Sequence, residues 1–101
     1  MKDVPHTYKV SKQTANIMVD AFDNITSNPA TIKTTDRNID LTFETFSFGG
    51  KEKPKAVLKG KYHDRWGERP CLYLKDLTGV RIENDVLVVE ANGIQVRFDT
   101  E

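Results

Sequence analysis

The nearest approach to a reactive set in this 101-residue sequence is His63-Asp64, with Cys71 a few residues on. A cysteine nucleophile needs its base within hydrogen-bond reach and a third group to orient that base. The sequence sets His63 and Cys71 on neighbouring strands, which permits contact without requiring it. The plainer reading is a partly exposed histidine and a small buried thiol, the usual behaviour of a free cysteine. His6, His63 and Cys71 share no ligand-type spacing, so no metal site is expected. Asp20 and Asp23 fall one helical turn apart and read as a solvated face rather than a catalytic carboxylate pair. Gly49-Gly50 precedes Lys51 without the flanking glycines of a phosphate loop. These residues point away from an enzyme, and no cofactor is expected.

A different chemistry is suggested by residues 51–70, KEKPKAVLKGKYHDRWGERP. Seven cationic side chains are interleaved there with Tyr62 and Trp66, and Phe46 and Phe48 lie just before. A site for single-stranded nucleic acid needs cations for the phosphates and exposed aromatic faces for the bases. Lys59, Lys61, Tyr62, Arg65 and Trp66 would supply both. The competing reading is structural: lysines alternate with apolar residues because a strand has one wet face, and Trp66 caps the edge of the core. Lysines also discourage unwanted pairing at sheet edges. The overall charge favours this second reading. Fifteen basic residues cancel fifteen acidic ones, so no bulk field draws in a polyanion or a membrane.

The elements that would position these residues begin with a helix. Ser11 reads as an N-cap, and the run from Lys12 to about Thr26 places Ala15, Met18, Phe22 and Ile25 on one face. Ile17, Val19 and Ala21 widen the apolar arc to roughly 200°, about twice what a surface helix needs. Spare apolar surface marks an interface, so Ile17, Val19 and Phe22 are candidate contacts for another protein or for a second copy of the chain. Asn28-Pro29 ends the helix, because proline disfavours helical geometry in the residue before it.

Beyond Pro29 the composition turns to β-formers. Thr7–Val10, ahead of the helix, is a short extended candidate. Ala30–Thr34 is a strand candidate and Asp36-Arg37-Asn38 a turn. Ile39, Leu41 and Phe43 alternate with polar residues, as in a half-buried strand. Phe46 and Phe48 then fall out of phase, which a β-bulge near Glu44-Thr45 would correct. Lys55–His63 is a strand, residues 65–70 a turn or loop, and Cys71–Leu74 a strand again. Asn92-Gly93 signals a two-residue hairpin turn, pairing Ala91 with Ile94, Val89 with Val96 and Leu87 with Phe98. Asn84-Asp85 makes a second such turn, pairing Ile82 with Leu87 and Val80 with Val89. Both registers put the same apolar residues on one face, which supports both.

The expected architecture is therefore a single α+β domain over residues 1–101: an N-terminal amphipathic helix packed on an antiparallel meander of five to seven strands. A small β-barrel with an appended helix is the alternative. One cysteine excludes an internal disulfide and suits a reducing compartment. Met1-Lys2-Asp3 is not followed by an apolar stretch, and the longest apolar run is Val86–Val89. No membrane association and a cytoplasmic location are expected. The leading functional expectation is a non-catalytic small binding protein, a protein-interaction regulator or inhibitor. A single-stranded nucleic-acid-binding protein is the alternative.

Overall fold

In the computed structural model the described residues are 8–24, 29–46 and 55–100. His6, Ile25, Asn28, Phe48 and Gly49-Gly50 lie outside them. Eight strands and one helix follow in chain order: β1 (Tyr8–Val10), α1 (Lys12–Asp23), β2 (Ala30–Asp36), β3 (Ile39–Phe46), β4 (Lys55–Asp64), β5 (Gly67–Lys75), β6 (Gly79–Glu83), β7 (Val86–Ala91) and β8 (Ile94–Thr100). The strands form two four-stranded sheets. Sheet I has the order β1-β8-β7-β6, and sheet II is the meander β2-β3-β4-β5.

Three parts of the expected architecture change. The helix is not the first element, because β1 precedes it. The strands number eight and divide between two sheets, so the chain is mostly β. Sheet I is mixed, since β1 runs parallel to β8 with Tyr8 opposite Phe98 and Val10 opposite Thr100. A three-residue strand carries too little alternation to reveal a partner at the far end of the sequence. Sheet II is antiparallel throughout, as expected.

Local chemistry explains the helix and the hairpins. The Ser11 hydroxyl accepts the Thr14 N–H at 3.0 Å, capping α1 as its sequence predicts. The helix ends at Asp23, with Asp20 and Asp23 in a last turn where carboxylates oppose the helix dipole. Its stability therefore rests on packing, through Ala15 and Met18 buried in the core. The β7–β8 and β6–β7 pairs have the predicted registers. Asn84, Asp85, Asn92 and Gly93 all take positive φ, the signature of type I′ turns.

Sheet II departs from expectation at two points. The β3–β4 register runs unbroken to Phe46 opposite Lys55, so there is no bulge near Glu44-Thr45. Thr45 keeps the core phase instead, and its hydroxyl accepts the Ala30 N–H at 2.9 Å. The register shift lies between β4 and β5, where Gly60 faces Leu72 and Lys61 faces Pro70, leaving Cys71 as the extra residue. Proline has no N–H to offer the ladder, so the irregularity falls where a regular pair would lose a bond. The expected loop over residues 65–70 shrinks to the two-residue turn Arg65-Trp66.

One core cluster draws on both sheets and the helix, with Phe43, Leu41 and Leu58 from sheet II meeting Leu87, Val89 and Phe98 from sheet I. The sheets are tied at two corners. The Lys9 N–H on β1 donates to Asp36 on β2 at 3.0 Å. Between β5 and β6, Leu77 donates to the Ala56 carbonyl of sheet II, and Thr78 to the Glu90 carbonyl of sheet I.

Candidate binding surface on the meander sheet

The registers of sheet II decide which side chains share its outer face. Lys33, Thr42, Lys59 and Tyr73 form one row across the four strands. Thr31, Glu44, Val57 and Lys75 form the next, and Phe46 beside Lys55 the one after. Phe46, Val57 and Tyr73 thus step diagonally across β3, β4 and β5. Diagonal neighbours on a sheet face lie within reach of aromatic side chains. Tyr73 is 60% exposed and Phe46 37% exposed, while Val57 is only 8% exposed and belongs to no part of the main core. With Lys55, Lys75 and Asp76 these three line a shallow depression of about 320 Å³. A wider trough of about 470 Å³ lies beside it over Lys33, Thr42, Glu44, Lys59, Lys61 and Glu68.

The cations of this face are mostly paired. Lys59 lies 3.2 Å from Glu44, Lys61 3.9 Å from Glu68, and Lys55 3.9 Å from Asp76. Lys33 and Lys75 have no such partner among the described residues. His63 Nδ1 stands 3.0 Å from an Asp40 carboxylate oxygen across the β3–β4 pair, but the contact lacks hydrogen-bond geometry.

The structure separates the residues that the sequence grouped as a nucleic-acid site. Lys59 and Lys61 point outward from sheet II. Tyr62 points the other way and packs against the core, with the Arg69 guanidinium 5.1 Å from its ring centre. Arg65 and Trp66 sit at the tip of the β4–β5 turn, with the guanidinium 5.4 Å from the indole centre. Trp66 is 79% exposed and does not cap the core edge. Asp64 holds this turn. Its carboxylate accepts the Trp66 N–H at 2.8 Å and an Arg69 N–H at 3.1 Å. Those donors, the backbone N–H first, keep the Asp64 pKa below the usual carboxylate range.

The helix residues proposed as partner contacts also divide. Val19 and Phe22 are partly buried against the core, whereas Ile17 is 46% exposed. The wide apolar arc is explained largely by two sheets, rather than one, standing around the helix.

His63 and Cys71 do not converge. His63 stands opposite Glu68, three residues from Cys71 along β5, or about 10 Å of strand. Cys71 is exposed as a residue, yet desolvation around its sulfur pushes the thiol pKa up, away from the thiolate a nucleophile needs. Among the described residues no three His, Cys, Asp or Glu side chains gather closely enough to hold a metal ion. None of the described helices is long and apolar enough to cross a membrane.

Sequence reasoning missed Tyr73, Val57, Lys33 and Lys75 as surface partners of Phe46. The alternation of Leu72 and Leu74 with Tyr73 and Lys75 was the available signal. No family model, curated protein or solved structure matches this chain.

Proposed function

We propose that this chain is a non-catalytic binding protein, a protein-interaction regulator or inhibitor, that engages its partner through the outer face of sheet II. The observation supporting this is the Phe46–Val57–Tyr73 strip on a sheet face that no described element covers. A solvated sheet face is normally polar on alternate residues, and aromatic side chains set in a concave patch are what interfaces use as anchors. The separation of His63 from Cys71 favours binding over catalysis. The lone cysteine fits a reducing, cytoplasmic setting.

Affinity capture from host lysate with three baits tests the reading. The wild-type protein and Ile17→Lys should recover the same partner, and Tyr73→Lys should lose it. Recovery that depends on Ile17 and ignores Tyr73 would move the interface to the helix.

Single-stranded nucleic acid is the second reading, favoured by one observation: Lys33, Lys59 and Lys61 share a face with Tyr73. Against it, Tyr62 is turned inward under Arg69, and acidic residues interleave with the lysines. Titration of a dye-labelled mixed-sequence oligonucleotide with the protein at low salt, read by anisotropy, tests it. Binding of this class must weaken steeply as salt rises, and a flat titration removes it.

A further inference from the structure

We infer that the partner of this face is a protein segment bearing carboxylates around one apolar side chain, which seats between Phe46 and Tyr73 over Val57. The inference rests on the binding reading above and adds the chemistry of the partner. The depression has an apolar floor in Val57 and aromatic walls, and its volume of about 320 Å³ admits a leucine or phenylalanine side chain with room left for the backbone that carries it. Its rim is cationic. Lys75 lies directly beside Val57 in the ladder and is unpaired among the described residues, while Lys55 reaches Asp76 only at 3.9 Å. Lys33, also without an ion-pair partner among the described residues, stands three strands from Tyr73 in the same row. At about 4.8 Å per strand that is about 14 Å, the span of about four extended residues.

Two lysines without ion-pair partners among the described residues, one beside the apolar seat and one about 14 Å from Tyr73, complement an anchor with one acidic residue next to it and another about four residues away. They match a polynucleotide poorly. A polynucleotide places a charge at every phosphate, and this face would meet those charges with Asp40, Glu44 and Glu68 as well as with lysines. A peptide can leave neutral residues over those carboxylates.

Selection of displayed random dodecapeptides on the immobilised full chain tests the inference, followed by titration of the selected consensus as a fluorescent synthetic peptide. The expected consensus has an aliphatic or aromatic residue flanked by Asp or Glu. Its affinity should fall about tenfold or more in Tyr73→Ser, as for loss of an interface anchor, and about fivefold in Lys75→Glu, with a further loss at high salt. Both side chains are exposed, and unchanged denaturant midpoints would show that the variants fold. Peptides that require Tyr73 but show no acidic bias, or that ignore Lys75→Glu, overturn the acidic class and leave the binding face standing. Failure to select any peptide that depends on Tyr73 overturns both. Binding of oligo-dT in preference to the peptide overturns the inference in favour of nucleic acid. Tyr73-dependent self-association in sedimentation overturns it in favour of a second copy.

Discussion

The outer faces of the two sheets follow the same alternation rule and end in different states. On sheet I, Arg81 donates to Glu83 and, at 2.7 Å, to Glu90. Glu90 also accepts from Gln95 at 2.6 Å, and Gln95 accepts from Arg97 at 3.2 Å. Gly79 leaves room for this arrangement, since a Cβ there would come within 3.1 Å of the Glu90 carboxylate. Beneath it Val88, flanked in the ladder by Arg81 and Arg97, has no exposed surface at all. Long basic side chains can cover apolar surface with their stems while their heads stay wet. On sheet II the equivalent apolar residue, Val57, stands between Glu44 and Lys75 with the partly exposed Phe46 and Tyr73 on its diagonals, and among the described residues Lys33 and Lys75 have no ion-pair partner. A polar sheet face can thus be self-satisfied or left with unused capacity, and only the second kind has anything to offer a partner.

The comparison breaks most visibly if the sheets do not share a core. Phe98→Ala, in sheet I, should cost about 3–5 kcal/mol. It should lower equally the unfolding midpoint seen by circular dichroism and by Trp66 fluorescence at the turn of sheet II. Two separate transitions would mean that the sheets unfold independently. Next in size, Val88→Ala should cost about 1–3 kcal/mol and Val57→Ala roughly half as much; equal costs would show that Val57 is as well sealed as Val88. The sheet I network also predicts a pH effect. Its bond to Arg81, then that to Gln95, holds the Glu90 pKa below its ordinary value. The unfolded chain therefore takes up the proton first, so this contribution is present above the ordinary glutamate range and is lost as pH falls through the lowered folded value. Glu90→Gln should flatten the acid side of a midpoint-against-pH curve, and an unchanged slope would count against the network. Smallest of all, Lys59→Gln, which breaks the exposed pair with Glu44, should move stability by no more than about 0.5 kcal/mol in chemical denaturation.

How far the sequence could be read depended on how local the information was. The Asn84-Asp85 and Asn92-Gly93 turns each fix a register within a few residues, and every pairing read from them is present. Ser11 was equally legible, because a cap acts on its own first turn. The β5 bulge was not, since neither Pro70 nor Cys71 announces a register shift unless the facing strand is known. The candidate surface was harder still. Phe46, Val57 and Tyr73 come from three strands, and their diagonal exists only once two registers are set, one of them across residues 47–54. The basic segment drew attention because its charges adjoin in sequence, yet the fold turns Tyr62 inward and carries Trp66 to a turn.

The placement of β8 carries a consequence for synthesis. It lies between β1 and β7, so β1 has no partner in sheet I until β8 has left the ribosome, about 90 residues after Tyr8. Closing so long a loop is slow compared with zipping adjacent hairpins. Translation therefore delivers the meander of sheet II as neighbouring strands, each able to pair as it emerges. The apolar side of β1 must wait for β8, and that of α1 for β6, against which the helix chiefly packs. Throughout that interval the nascent chain exposes the inner face of sheet II, which makes the order of the strands along the messenger a determinant of how much holdase protection it needs.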